Sequence, residues 1–276
     1  MKILIATGIY PPEIGGPSIY AQSFARELLR RGDMPIVVTY GDEKTVRGDG
    51  WDVHVVSRSG GPLMRYLRYA WIVFRLAARV ELMYLQGAVS EGFPGTIGAI
   101  FAGTPTVMRV PGDYAWEMYQ QKKIHKVKKS IKSEEVELLD EFLTHRHSGG
   151  ISILEWIERW TSRHARNIIA PSRYLKSVIE RWGIPTEKIF VIVTTPAPLP
   201  DAGPREPLRG KLGVDASSVL FTVVRAVPWK GVDFLIDVLK ELPSDIILVV
   251  AGDGLAEWKA RAASLGSRVR FVGRVD

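Results

Sequence analysis

Seven short runs rich in β-branched residues, set apart by stretches with helical spacing, constrain this chain more than any other feature. They are Lys2 to Thr7, Pro35 to Thr39, Val53 to Ser57, Leu82 to Gln86, Thr106 to Val110, Asn167 to Ala170 and Ile189 to Val193. Adjacent parallel strands need a crossover, usually a helix, so this rhythm predicts a parallel sheet wrapped by helices. The proline-rich stretch Thr195-Pro196-Ala197-Pro198-Leu199-Pro200 interrupts the series and marks a domain boundary. A second series follows, with strands expected at Ser218 to Val224, Ile246 to Ala251 and Val269 to Val272, and helices at Val232 to Lys240 and Leu255 to Ser264. The reading is therefore an N-terminal domain over 1–196 and a partial second domain over 197–276. Three strands make a poor self-sufficient α/β domain, so the expectation is that Asp276 is not the natural terminus.

Composition narrows the class. With 46% apolar and 24% charged residues the chain can bury a sizeable core. No apolar run approaches the roughly 20 residues of a spanning helix, and Gly8, Pro11 and Pro12 break the first apolar segment too early for a signal peptide. That segment reads as a buried strand, and the expected location is cytoplasmic. The absence of cysteine excludes disulfides, thiolate ligands and a cysteine nucleophile. A net charge of +7 favours an anionic partner without choosing among nucleotide, lipid and nucleic acid.

After the first strand, Gly15-Gly16-Pro17-Ser18 leads into a helix expected at Ile19 to Arg31, with Ser18 as its N-cap. Glycines there let a ligand approach the backbone, and a helix N-terminus with free amides attracts anions, although a plain βα turn fits the same residues. Neither a G-x-G-x-x-G fingerprint nor a P-loop is present.

Tyr10-Pro11-Pro12-Glu13-Ile14-Gly15-Gly16-Pro17, followed by Ala25-Arg26-Glu27-Leu28 and Arg31-Gly32, resembles the opening of glycosyltransferase family 4. Further blocks agree: Ala170-Pro171-Ser172-Arg173-Tyr174-Leu175, Arg225-Ala226-Val227-Pro228-Trp229-Lys230-Gly231-Val232-Asp233, Gly252-Asp253-Gly254, and Val269-Arg270-Phe271-Val272-Gly273. The resemblance implies a GT-B fold, two Rossmann-like domains with a cleft between them, and sugar transfer from a nucleotide-diphosphate sugar with retention of configuration. It makes residues 1–196 the acceptor side and 197–276 an incomplete donor-binding domain. It also makes Arg225 and Lys230 the catalytic cations that hold the diphosphate, a role suited to a bidentate fork and a point charge. Gly15, Gly16 and Gly254 are implied at the donor site, Gly16 through its backbone amide.

Two departures stand out. Relatives often carry a histidine after the strand corresponding to Thr106 to Val110, where this chain reads Arg109-Val110-Pro111-Gly112-Asp113. Asp113 is the nearest polar substitute, as a contact to sugar or acceptor or as a loop-capping carboxylate. Relatives also carry a spaced pair of glutamates beyond the last strand seen here.

The partners expected are a nucleotide-sugar donor and a glycan or lipid-linked acceptor, with no cofactor and no metal. His145 and His147 lie near Glu141 but have no third ligand at helical spacing. Over Pro62 to Val80, at about 100° per residue, Arg65, Arg68, Arg75 and Arg79 share an arc of about 80°, with Leu67, Ala70, Trp71, Phe74 and Ala78 largely opposite. That is a helix packed on the sheet by its apolar face, or one seated at the inner face of an anionic membrane. Lys122 to Lys132 is a second basic run, read as a solvated insertion. Nucleic acid is not expected, because no recognition motif accompanies the charge. The competing functions are a sugar-nucleotide epimerase on the same fold and a non-catalytic sugar-nucleotide or lipid-binding protein.

Overall fold

A computed structural model of the chain describes all residues except 43–48, 128–137, 196–202, 215–217, 226, 253, 255 and 275–276. The basic run lies outside the described residues from 128 onward, as do the acidic residues at 134–137. The chain forms two compact units, Met1–Thr195 and Pro196–Asp276.

In the first unit the elements run β1 (Lys2–Thr7), α1 (Gly16–Arg30), β2 (Met34–Tyr40), β3 (Asp52–Val56), α2 (Gly61–Ala77), β4 (Leu82–Leu85), α3 (Gly92–Ala102), β5 (Thr106–Arg109), α4 (Tyr114–Val127), α5 (Leu139–Phe142), α6 (Gly150–His164), β6 (Asn167–Ala170), α7 (Arg173–Arg181) and β7 (Ile189–Val191). The strands make one parallel sheet in the order β3-β2-β1-β4-β5-β6-β7. Because β1 is buried on both faces, it reads as a continuous apolar run. Its Leu4 and Ala6 enter a core shared with Tyr69 of α2, Ala99 of α3, Ile157 of α6 and Val178 of α7. Ile3 and Ile5 face the opposite side and pack with Ala21, Ala25 and Leu28 of α1.

The second unit runs α8 (Arg205–Leu212), β8 (Ser218–Val223), α9 (Val232–Glu241), β9 (Ile246–Ala251), α10 (Ala256–Arg261) and β10 (Val269–Gly273). Its parallel sheet has the order β10-β9-β8. Val232, Ile236 and Leu239 of α9 pack on Leu248 and Val250 of β9.

Three expectations need correction. First, α1 begins at Gly16 with Gly15 as its N-cap, so Ser18 lies inside the first turn, buried rather than capping. Pro17 accounts for the shift: its fixed φ suits the first helical turn, where its missing N–H costs nothing. Second, the inward line of α2 is Tyr69, Val73 and Ala77, whereas Leu67 and Trp71 are 55% and 60% exposed. The reason lies in α3, where Gly98 has no side chain and a Cβ there would stand 2.7 Å from Ala70 O. The two helices therefore meet along a line that puts Leu67 and Trp71 outside. Third, the expected helix at 255–264 is divided into α10 and a 3₁₀ segment, Ala263–Arg268, kinked at Gly266 with φ 52°.

Candidate functional site

In open α/β sheets ligands bind outside the carboxyl ends of the strands where the strand order reverses. In the first unit that point lies between β1 and β4, whose following loops carry Gly8 to Gly16 and Gln86 to Glu91. Gln86 ties them together, its Nε2 donating to Pro17 O at 2.8 Å. The Gln86 Oε1 and Ser18 Oγ atoms are buried without a hydrogen-bond partner. At Gly15 a Cβ would stand 2.7 Å from the Ile9 Cδ1, whereas at Gly16 it would meet nothing within 4 Å. Gly15 is thus packed into the loop, and Gly16 opens α1 with an unobstructed backbone. The α1 N-terminus has no side-chain cap, which leaves its first amides for other acceptors.

Glu91 gave no sequence signal, yet its carboxyl lies at the centre of this edge. A Cβ on Gly8 would be 3.0 Å from its Oε2 and one on Gly87 would be 2.6 Å from its Oε1, so both glycines make room for it. Ser90 Oγ donates to it, and burial pushes its pKa up. Arg109, at the end of β5, is also buried. It stacks over Tyr20 at 4.5 Å and donates to Thr194 Oγ1 at 2.8 Å.

Asp113 is turned into the protein. Its Oδ1 accepts from Trp116 N at 2.8 Å, capping α4, and the Trp182 indole donates to the same carboxylate. Glu158 of α6 shares this helix terminus, accepting from Tyr114 N at 2.7 Å and Ala115 N at 3.3 Å. Burial raises both carboxyls, Asp113 to about 6, and the charge of Asp113 raises Glu158 further. Nothing in the linear pattern points to Glu158, because its partner helix lies more than forty residues upstream. Among the described residues no group of His, Asp and Glu could hold a metal ion. His147 instead stacks on Phe142, with ring centroids 4.0 Å apart, and its Nε2 lies 3.0 Å from Phe142 O.

In the second unit, Arg225 follows β8, and Lys230 ends the 3₁₀ turn Pro228–Lys230 before α9. Both side chains are exposed, and neither makes a hydrogen bond or ion pair among the described residues. Gly231 is the N-cap of α9 with φ 68° and offers no side-chain cap. Two unpaired cations next to uncapped helix amides can engage a polyanion. Gly254 lies beyond β9, exposed, with φ 76°. The tight approach is at Gly252, where φ is 138° and a Cβ would stand 1.9 Å from Val224 O. The fold-determining glycine of that turn is therefore Gly252, and Gly254 is the one left facing outward.

The arrangement can be set beside known proteins. The chain matches the whole of its length, and 70% of theirs, to Anabaena HepE solved with UDP and glucose, at 20% identity and a TM-score of 0.69. With WaaG, a glycosyltransferase involved in lipopolysaccharide biosynthesis, the same coverages hold at 18% identity and a TM-score of 0.65. UDP-GlcNAc 2-epimerase from Neisseria meningitidis, bound to UDP-GlcNAc, is covered to 73% at 12% identity and a TM-score of 0.56. These likenesses establish the GT-B fold. No curated protein matches the chain in sequence. The sequence profile of the glycosyl transferase 4-like domain, however, matches residues 15–195, and the chain belongs to that family.

Proposed function

We propose that the protein transfers a sugar from a nucleoside-diphosphate sugar to a glycan or lipid-linked acceptor with retention of configuration. In this reading, residues 197–276 hold the donor and residues 1–196 present the acceptor. The observation that carries it is the pair Arg225 and Lys230, exposed and unpaired ahead of the uncapped α9. Rupture of a sugar–phosphate bond builds negative charge on the departing diphosphate, and fixed cations stabilise that charge best where it develops. Arg225 offers two parallel N–H donors, and Lys230 a point charge. Gly15 and Gly16 leave backbone amides open at the switch point, and Gly254 lines the donor side. HepE has been solved with UDP and with UDP-glucose, which supports a donor of that class.

Lys230→Ala is expected to lower turnover with the preferred nucleotide sugar by about 100-fold, in line with the loss of one transition-state donor. Unchanged turnover would take Lys230 out of the site. No cofactor is needed, since the two cations do the work of a divalent ion, and chelation by EDTA should leave turnover unaltered. Product analysis separates transfer from epimerisation, because an epimerase changes the donor sugar with no acceptor present. UDP binding with neither product would favour a pure binding protein.

We also propose that α2 rests on the inner face of an anionic membrane. Leu63, Met64, Leu67 and Trp71 form an exposed apolar row, with Arg75 and Arg79 exposed farther along. Among the described residues no helix is long and apolar enough to cross a membrane, so the contact would be interfacial.

A further inference from the structure

Arg65 lies one turn before Tyr69 on the inward line of α2, and its guanidinium is held between two aromatic rings. Its Cζ is 5.3 Å from the centroid of Tyr40, the last residue of β2, and 5.2 Å from that of Tyr66. Among the described residues no carboxylate pairs with it, and no hydrogen bond engages it. Its Nε is sealed from solvent without an acceptor, while the two Nη groups are neither bonded nor buried. Such a cation keeps the desolvation cost of its stem and receives only ring contacts in return.

The surroundings leave that charge uncompensated. The Tyr40 hydroxyl is committed to Ser90 O at 2.7 Å. Tyr114, at the start of α4, lies within electrostatic reach of Arg65, Tyr66 and Glu91. Glu91 is the buried carboxyl of this neighbourhood, but it is turned toward Ser90 and the glycines at 8 and 87. Burial raises its pKa, and among the described residues no ion pair joins it to Arg65.

We propose that Arg65, with the phenols of Tyr66 and Tyr114, binds an anionic group, a phosphate mono- or diester, on the acceptor substrate. The assignment of this group to the acceptor rests on the transferase reading above. The anion site itself stands on the free guanidinium. A planar fork with both Nη groups open suits two phosphate oxygens, and a phenol at the rim can donate to a third. The phosphate could belong to a lipid headgroup presented at the membrane face of α2, or to a soluble sugar phosphate.

The test is calorimetric titration of inorganic phosphate into full-length protein carrying Arg225→Ala and Lys230→Ala, which removes the other phosphate-directed cations. Binding is expected there, about tenfold weaker after Arg65→Gln and largely retained after Arg65→Lys. Absence of binding in this background, or equal affinity with Arg65→Gln in a protein of unchanged circular dichroism, would overturn the site. Should Arg65→Gln not fold, Tyr114→Phe serves as the second variant, expected to weaken phosphate severalfold, and no change would count against the site. Sedimentation with phosphatidylcholine vesicles, with and without phosphatidylglycerol, identifies the source. Loss of the phosphatidylglycerol-dependent fraction on Arg65→Gln indicates a headgroup phosphate, and loss of inorganic phosphate binding alone indicates a soluble one. Neither measurement uses a nucleotide sugar, so failure of the transferase reading would appear separately, as absence of UDP binding.

Discussion

At the scale of single residues, the carboxyls that stabilise the first unit are also those that make it sensitive to pH. Asp113 and Glu158 both accept from the first amides of α4, and both are buried. Their pKa values are raised, so the native state keeps protons that the unfolded chain loses near its ordinary carboxyl value of about 4. The stability they permit is complete below about pH 4 and is lost as pH rises through about 6 for Asp113, with Glu158 shifted in the same direction. A shift of this size corresponds to a cost on the order of 3 kcal/mol at neutral pH. Asp113→Asn keeps the Oδ1 acceptor for Trp116 N and removes the ionisation. Its Tm should therefore fall less than that of the wild type between about pH 4 and 6, and parallel curves would show that Asp113 does not titrate in this range. Gly252 makes the complementary case for backbone. With φ 138° and a Cβ position 1.9 Å from Val224 O, Gly252→Ala should destabilise the second unit by at least about 2 kcal/mol, measurable by urea unfolding.

At the scale of elements, α2 shows what could be read in the sequence and what could not. Its existence and length followed from the apolar periodicity, because an amphipathic pattern over so many residues is incompatible with a strand. Its orientation did not follow, because the decisive contact is the backbone of Ala70 and Phe74 against Gly98, and no periodicity within α2 encodes a glycine in α3. The strands were legible for the same reason that α2 was: buried parallel strands are runs of β-branched residues, and β1, β6 and β9 begin and end where those runs do. In the candidate site, Gly15 and Gly16 stood out because glycine pairs at a βα turn carry a conformational signal. Glu91 and Glu158 did not, and Arg65 showed only as one of four arginines on an arc, because the contacts with Gly8, Tyr114 and Tyr40 that give them a place come from other elements. The exposure of Leu67 and Trp71 has a direct consequence for association. Leu67→Gln combined with Trp71→Gln should leave the unfolding free energy within about 0.5 kcal/mol of the wild type, since both side chains are mostly in water. The same change should lower sedimentation with phosphatidylglycerol-containing vesicles severalfold. An unchanged bound fraction would remove α2 as a membrane contact.

At the scale of the whole molecule, the two units keep separate cores. Leu4, Tyr69 and Ile168 belong to a cluster of the first unit, and Ile236, Leu248 and Val250 to one of the second. Clusters that share no residues need not melt together, so calorimetry should resolve two transitions. The first unit, with a seven-stranded sheet covered by helices on both faces, buries far more apolar surface than the second, with three strands. The lower transition is accordingly expected to be that of the second unit. Only this unit carries Arg225 and Lys230, so UDP should act on it selectively. At a UDP concentration about 100 times its Kd, linkage adds about 2.7 kcal/mol to the unit that binds. For a unit of this size that moves the lower transition up by about 10 °C or more, while the upper one stays in place. Lys230→Ala should abolish most of the shift, because removing one charged partner of the diphosphate costs roughly 1.5–3 kcal/mol of binding. A shift of equal size in that variant, or one confined to the upper transition, would place the nucleotide elsewhere and leave the exposed cations before α9 without their proposed ligand.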